Sequence, residues 1–171
     1  LSVTEVCNFR CTYCLPNGYQ KTDRDFLTFA EITRLATAFA ELGTHKIRLT
    51  GGEPTVRRDL TQIARAVSNI SGIRTVALTT NGYNLKENVK AFRDAGINAL
   101  NVSVDSLNSE RFYAITGQDK LTHVLEGIEA AKATGFNNIK INSVLLKEVT
   151  DHTLPEFLSW IKREALSVRF I

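Results

Sequence analysis

The stretch Lys46-Ile-Arg-Leu-Thr50 alternates polar and apolar side chains, and this alternation decides the fold of the chain. Five other short runs are also predicted to be strands: Leu1–Val6, Thr75–Thr80, Ala99–Asp105, Asn138–Leu145 and Ser167–Ile171. Parallel strands that helices cover on both faces usually read as continuous apolar runs instead. We therefore expect one face of the sheet to pack on helices and the other face to line a polar space.

Helical patterns separate the predicted strands, with apolar residues at spacings of three and four. Thr28 and Glu31 form a predicted capping box at the start of the first helix. Four of the five predicted helices stop at a glycine shortly before a strand: Gly43, Gly72, Gly96 and Gly135. Alternating strands and helices joined by short links indicate parallel strands with right-handed crossovers.

The polar face of the predicted strands distinguishes between the possible α/β folds. A closed eight-stranded barrel fills its interior with branched apolar side chains, which these strands do not supply. We predict an incomplete (β/α)6 TIM-type barrel of parallel strands whose open concave face holds a polar ligand. A half-exposed sheet with a solvated face is the alternative, although it does not explain why every crossover helix would lie on one side.

The composition excludes several classes of protein. The net charge of +3 is too small to indicate a nucleic-acid partner, and no apolar run is long enough to span a membrane. Neither a nucleic acid nor a membrane is therefore expected as a partner. Because the chain begins at Leu1 and contains no methionine, we expect residues 1–171 to be one domain taken from a longer protein.

Three cysteines follow the first predicted strand in the spacing Cys7-x3-Cys11-x2-Cys14, and the rest of the chain has none. An odd, clustered set is a poor disulfide framework, which favours a reducing, cytoplasmic location. Thiolates suit an iron–sulfur cluster or zinc. Three ligands leave one iron of a four-iron cluster open to an outside ligand.

Two other interpretations of the cysteines are considered. They could be small buried apolar side chains, because free cysteine is often buried. They could also bind zinc with a borrowed histidine, although no histidine lies near the loop in sequence; the candidates are His45, His123 and His152.

The spacing, with Tyr13 before the last cysteine, resembles the radical S-adenosylmethionine superfamily. The resemblance implies a [4Fe-4S] cluster on the three cysteines, with S-adenosyl-L-methionine bound to its open iron. Gly51-Gly-Glu-Pro54 resembles the G-G-E segment of that superfamily, which binds the methionine amino group. The resemblance implies four residues against S-adenosyl-L-methionine: Tyr13, Gly52, Glu53 and Ser103.

Longer runs resemble one branch of the superfamily, the GTP 3′,8-cyclases (molybdenum cofactor biosynthesis protein A): Leu1–Cys7, Arg48–Pro54, Thr79–Gly82, Asn101–Ser106 and Ile115–Asp119. That branch is a lyase that cleaves S-adenosyl-L-methionine to a 5′-deoxyadenosyl radical. The radical cyclises GTP to (8S)-3′,8-cyclo-7,8-dihydroguanosine 5′-triphosphate in the first step of molybdopterin biosynthesis. The resemblance implies Arg48, Thr79 and Lys140 against GTP, with Arg169 near the cofactor or the triphosphate.

The resemblance also implies partners and a boundary. The partners are an electron donor of the flavodoxin or ferredoxin type, a cyclic pyranopterin monophosphate synthase acting downstream, and a second copy in a homodimer. The family has a second, C-terminal cluster whose cysteines this chain does not contain. We therefore expect the chain to hold the radical-generating core and part of the substrate site.

The residues support a polyanionic ligand independently of the resemblance. Arg48, Lys140 and Arg169 are predicted on the concave face, where an unpaired cation is costly unless it meets an anion. Structural salt bridges are the alternative, and Asp105 could serve one of them. We otherwise expect Asp105 or Ser106 to cap the following helix.

Two further functions are weighed against the cyclase. One is a radical enzyme acting on a peptide or a tetrapyrrole-pathway substrate. The other belongs to a different class, a zinc-binding module without turnover. Iron and sulfide analysis distinguishes the second from any radical enzyme.

Overall fold

The computed structural model describes residues 1–21, 26–146, 150–164 and 166–171, without side-chain detail for residues 150–153. Six parallel strands form one sheet in the order β1-β2-β3-β4-β5-β6. Their bounds are β1 Ser2–Thr4, β2 Lys46–Gly51, β3 Thr75–Thr80, β4 Ile97–Ser103, β5 Ile139–Ser143 and β6 Ser167–Phe170.

Six α-helices lie between the strands, one more than the five predicted. Their bounds are α1 Phe29–Glu41, α2 Leu60–Ser68, α3 Leu85–Asp94, α4 Ser109–Thr116, α5 Leu121–Ala133 and α6 Thr150–Glu164. The additional helix, α4, is only two turns long, and the apolar side chains that it buries are Phe112 and Ile115. Within the part of the chain described, no helix has the length and apolar character needed to cross a membrane.

The strand order confirms the predicted α/β class with an incomplete barrel. Consecutive strands are always neighbours, so the chain winds in a single direction, and right-handed crossovers then place the helices on one side of the sheet. A doubly wound sheet would instead reverse its strand order part of the way along. Among the described residues β1 and β6 each pair with one strand only, and the sheet is therefore open.

The two faces of the sheet divide as the alternation predicts. The face toward the helices is apolar and buried: Ile47, Leu49, Val76, Leu78, Leu100, Val102, Ile139 and Ile141. Burying a side chain of this size contributes roughly 1.5–3 kcal/mol, so this layer fixes the register of each strand. The concave face carries the polar residues between them.

Strand β1 is shorter than predicted, because backbone pairing with β2 shifts register between Ser2 and Thr4. The Val6 N–H donates to Thr4 Oγ1 at 3.1 Å, and the Val6 carbonyl accepts from Glu53 N–H at 2.8 Å. These bonds bend the chain out of the strand and into the cysteine loop. Strand β4, by contrast, begins two residues earlier than predicted, at Ile97.

Candidate functional site

The carboxyl ends of the parallel strands meet around a cavity of about 160 Å³. In an α/β barrel this edge is where loops build the active site. The lining residues are Cys7, Phe9, Cys11, Tyr13, Cys14, Gly52, Glu53, Thr79, Thr80, Asn81, Ser103, Asp105 and Thr116. All three cysteines and four predicted cofactor residues therefore lie at one cavity, together with the predicted GTP residue Thr79.

The cysteine loop is anchored by an aromatic side chain. Phe9 is buried and packs edge-on against the rings of Tyr83 and Phe112, at centroid distances of 6.1 and 6.2 Å. The chain then turns, because the N–H groups of Cys14 and Leu15 both donate to the Cys11 carbonyl at 3.0 Å. This turn returns the third thiol toward the cavity.

The end of helix α4 clamps the same loop. Arg10 N–H donates to the Thr116 carbonyl at 3.1 Å, and Thr12 N–H donates to the Ile115 carbonyl at 2.9 Å. Gln118 Nε2 adds a bond to the Asn8 carbonyl at 3.1 Å. The run Ile115–Asp119 resembles the cyclase branch, and in the structure its first four residues position the cysteine loop.

The surroundings of the thiols disfavour the thiolate form unless a positively charged group binds beside them. Burial raises the pKa of Cys7, and burial together with the negative charge of Asp105 raises the pKa of Cys11 to about 12. Among the described residues that line the cavity there is no lysine or arginine to stabilise a thiolate. A coordinating metal ion deprotonates a thiol outright. The three cysteines are free thiols, so each is able to bind a metal ion as a thiolate.

The donor set of the loop is that of a four-iron cluster. Thiolates hold iron–sulfur clusters, each on a different iron. Three cysteines therefore leave one iron open to an outside ligand, whereas a closed structural zinc site needs a fourth ligand.

The Gly51-Gly52-Glu53 loop lies against the base of the cysteine loop. Gly52 N–H donates to the Thr4 carbonyl at 2.9 Å. A Cβ atom on Gly52 would overlap the carbonyl oxygens of Glu5 and Val6. Only glycine therefore allows the two backbones to approach this closely.

The Glu53 carboxylate joins its own loop to the carboxyl end of strand β3. Its carboxylate is 1% exposed and accepts from Thr55 N–H and Oγ1, Thr80 Oγ1 and Asn81 N–H at 2.6–3.0 Å. Burial raises its pKa, although these four donors act in the opposite direction. In the structure the partners of this carboxylate are two backbone N–H groups and two hydroxyls.

Asp105 links the cysteine loop to the next strand. Its Oδ2 accepts from Tyr13 Oη at 2.6 Å, and its Oδ1 accepts from Val144 N–H at 2.9 Å. Burial raises the pKa of Asp105, and burial with this neighbouring charge raises the pKa of Tyr13. Asp105 accordingly pairs with none of the three concave-face cations.

The expectation that Asp105 or Ser106 caps the next helix is wrong. Helix α4 is capped by Asn108, whose side chain accepts from Arg111 N–H at 3.0 Å. Ser106 Oγ instead accepts from Asn108 N–H, two residues further on. Strand β4 ends at Ser103 and helix α4 begins only at Ser109, so residues 105 and 106 lie too early in the chain to cap it.

The predicted substrate residues share the concave face. Thr79 is in register with Asn101, and Asn101 with Lys140. Arg48 lies one row lower and donates from Nη1 to Thr79 Oγ1 at 3.3 Å. The adjoining upper row holds Ser103, Asn142 and Arg169.

The alternative of structural salt bridges is not supported. In the described segments the ion pairs join other residues, and Arg48, Lys140 and Arg169 take part in none. Arg169 is exposed on β6, and the other two are half-buried. Three cations on one face therefore lack a carboxylate partner there.

Two asparagines on this face were not predicted as site residues. Asn101 Nδ2 and Asn142 Oδ1 are buried and have no hydrogen-bond partner among the described residues. Most buried polar groups are paired, so each unpaired atom needs an explanation. The available signal was their position: both stand at inward-facing places of the strand alternation.

Known proteins resemble this chain over its whole length. It is 55% identical over 177 residues to a GTP 3′,8-cyclase of Aeromonas hydrophila subsp. hydrophila, and 56% identical over 172 residues to one of Tolumonas auensis. The matches cover 100% of this chain but 52% and 51% of those proteins. The chain thus spans about half the length of the curated relatives it matches.

The fold and the family are supported separately. Streptococcus suis SuiB bound to S-adenosylmethionine superposes with a TM-score of 0.80 at 18% identity, over 99% of this chain and 39% of SuiB, which supports the fold alone. The sequence model of the Radical SAM superfamily matches residues 1–161. With its three-cysteine loop and parallel open barrel, the chain belongs to the radical SAM superfamily.

Proposed function

We propose that this chain is the radical-generating core of a GTP 3′,8-cyclase, with residues 1–171 forming one domain of a longer enzyme. The observation that carries the proposal is the juxtaposition of two features at one edge of the sheet. The three thiols line a cavity, and a concave face with three unpaired cations lies directly beneath its rim. The similarity to proteins named GTP 3′,8-cyclase supports the same substrate.

The cofactors are those of the superfamily, a [4Fe-4S] cluster and S-adenosyl-L-methionine. When bound, they supply a 5′-deoxyadenosyl radical, which takes hydrogen from the GTP ribose and leads to (8S)-3′,8-cyclo-7,8-dihydroguanosine 5′-triphosphate. The protein supplies binding and orientation. Cys7, Cys11 and Cys14 would hold the cluster, and Asp105 fixes the loop that carries them by its bond to Tyr13.

Tyr13, Gly52 and Ser103 line the same cavity and are proposed to contact S-adenosyl-L-methionine. Gly52 is exposed at the cavity, so its backbone is placed to meet an amino group. Glu53, whose carboxylate already accepts four bonds, contributes by holding that backbone in place.

The concave face is proposed to hold the nucleotide. Arg48, Thr79 and Lys140 provide two cations and a hydroxyl within adjoining rows of the sheet. Charge-assisted hydrogen bonds to phosphate are shorter and stronger than neutral ones. Arg169, one row nearer the cavity rim and exposed, is placed to meet either the triphosphate or the cofactor.

The partners proposed with this function are an electron donor of the flavodoxin or ferredoxin type, a cyclic pyranopterin monophosphate synthase that uses the product, and a second copy in a homodimer. Three unpaired thiols favour a reducing compartment, which we propose to be the cytoplasm.

The test is anaerobic reconstitution of the full-length protein with iron and sulfide. We expect four iron and four sulfide per site held by these cysteines, and 5′-deoxyadenosine formation that GTP stimulates and ATP does not. Zinc in place of iron would contradict the radical function. An iron–sulfur protein that cleaves the cofactor but ignores GTP would contradict the substrate.

A further inference from the structure

The amide nitrogen of Asn101 is the most anomalous polar atom on the concave face. The residue is 2% exposed, and its Nδ2 has no hydrogen-bond partner. A buried donor without a partner destabilises the fold, because it has given up its bond to water without replacing it. A structural role does not account for such a group, because an apolar side chain of the same size would avoid that cost.

The neighbours of Asn101 define what would satisfy it. Its register partners are Thr79 on one side and Lys140 on the other. The Thr79 hydroxyl already accepts from Arg48 Nη1. Lys140, like Asn101 Nδ2, offers only donors. Three of these four side chains therefore present N–H groups on the same face, and the one hydroxyl among the four, that of Thr79, already accepts from Arg48.

We infer that Asn101 is a substrate-contacting residue whose Nδ2–H donates to a phosphate oxygen of the nucleotide. The inference rests on the proposed function and adds a neutral donor to the cations assigned there. A phosphate group offers only acceptors, so it can meet Asn101, Lys140 and Arg48 together. The unpaired amide destabilises the free protein, and its bond to phosphate removes this destabilisation when substrate binds.

Asn98 provides a matched control in the same strand. It lies three residues earlier, and both ends of its carboxamide are paired: Oδ1 accepts from Val76 N–H at 3.1 Å, and Nδ2 donates to the Arg74 carbonyl at 3.0 Å. The same substitution at the two positions should have opposite effects. Asn101→Leu removes a ligand contact, whereas Asn98→Leu removes structural bonds.

The experiment measures GTP and guanosine affinity by calorimetry, and thermal unfolding without ligand, in the full-length protein with its cluster reconstituted. For Asn101→Leu we expect GTP binding at least tenfold weaker, guanosine binding unchanged, and a melting temperature that is equal or higher. For Asn98→Leu we expect unchanged GTP affinity and a lower melting temperature. Asn101→Asp should weaken GTP binding further, because a carboxylate repels phosphate.

Several outcomes would overturn the inference. Unchanged GTP affinity in Asn101→Leu, with a melting temperature lowered as in Asn98→Leu, assigns Asn101 a structural role. An equal loss for GTP and guanosine places the contact on the nucleoside and not on phosphate. If the unsubstituted protein binds no GTP at all, the proposed function fails first, and this result is separate from the behaviour of Asn101.

Discussion

At the scale of single residues, the three thiols differ in exposure but share one cavity. Cys7 and Cys11 are half-buried, whereas Cys14 is exposed at the rim. A serine hydroxyl is a harder and far less acidic ligand than a thiol, so it replaces a thiolate on iron poorly. We predict that Cys7→Ser, Cys11→Ser or Cys14→Ser each abolishes the cluster, as measured by iron and sulfide content.

Thr12→Ser is the control for that experiment, because Thr12 is exposed in the same loop and lines no part of the cavity. It should retain full iron content. A cysteine variant that reconstitutes normally and cleaves S-adenosyl-L-methionine would contradict the cluster assignment.

Gly52 is predicted to be required for cluster binding although it donates no ligand. The Cβ of Gly52→Ala would overlap two backbone carbonyls at the base of the cysteine loop, and backbone cannot rotate away as a side chain can. We expect reduced iron content and a lower melting temperature. Gly135→Ala is the control: its added Cβ meets nothing within 4 Å, so it should destabilise through its positive φ while leaving iron content unchanged.

The concave-face cations give a prediction about binding. Lys140→Ala or Arg48→Ala should weaken GTP binding about tenfold or more, since a hydrogen bond to a charged group contributes roughly 1.5–3 kcal/mol. Lys86→Ala is the control, because Lys86 pairs with Glu126 on the surface at 2.7 Å. Unchanged GTP affinity with a large loss of stability would contradict the phosphate-binding role.

At the scale of secondary structure elements, Arg57 connects three of them. Its Nη1 donates to the carbonyls of Val3 in β1 and Leu27 before α1, at 2.6 and 2.7 Å. Its Nε and Nη2 bind Asp59, the residue before α2, at 2.7 and 3.1 Å. One guanidinium therefore holds the first strand against the first two crossover connections.

Arg57→Lys keeps the charge but loses the planar fork that reaches all three elements. We predict a loss of about 1.5–3 kcal/mol in the free energy of unfolding, measured by denaturant titration. Arg58→Lys, at an exposed neighbouring position, should change it by less than about 0.5 kcal/mol. Equal effects at the two positions would contradict the connecting role of Arg57.

The contribution of the Arg57–Asp59 pair to the stability of the fold depends on pH. The hydrogen bonds from Arg57 lower the pKa of Asp59 below its ordinary value. A carboxyl with a lowered pKa stabilises the fold fully above its ordinary pKa, and that contribution disappears as pH falls through the lowered value. The difference in stability between the unsubstituted protein and Asp59→Asn should therefore narrow on acidification below about pH 4.

The elements that sequence reasoning predicted are those whose pattern is local. The alternation around Ile47 and Leu49 identifies β2, and the capping box of Thr28 and Glu31 is present in the structure with both its bonds. Helix α4 was missed because two turns give too few repeats of an apolar pattern. The role of Asp105 was missed because its partners, Tyr13 and Val144, are distant in sequence.

The features of the candidate site also fall into two groups, those that a short sequence pattern reveals and those that it does not. Cysteine spacing and the polar strand face could be recognised from sequence, because each is a short pattern. The clamp of the cysteine loop by Ile115 and Thr116, and the unpaired amide of Asn101, depend on how distant segments meet. No local pattern encodes such contacts.

At the scale of the whole molecule, the cysteine loop follows β1, the shortest strand described and one at an edge of the sheet. Strand β1 has three residues and one neighbour among the described strands, whereas β3 is six residues long and paired on both sides. Short edge strands open at low free energy, while central strands open only with global unfolding. A ligand that binds only the closed form stabilises it by mass action.

Cluster binding should therefore act mainly on β1. We predict that reconstitution slows amide hydrogen exchange in Ser2–Thr4 much more than in Thr75–Thr80, as measured by mass spectrometry of the protein with and without iron and sulfide. The same change in both strands would show that the cluster stabilises only the global fold.

The clamp on the cysteine loop also constrains the order of assembly. The cysteines are made before the residues that hold their loop: Gln118, which bonds to Asn8, lies 110 residues further along, and Asp105, which bonds to Tyr13, lies 92 residues from it. Contacts between such distant residues form late in folding. The cysteine loop therefore takes the conformation that brings its three thiols to one cavity only once Asp105 and Gln118 are in place. We expect β4 and α4 to form first and iron and sulfide to be bound afterwards.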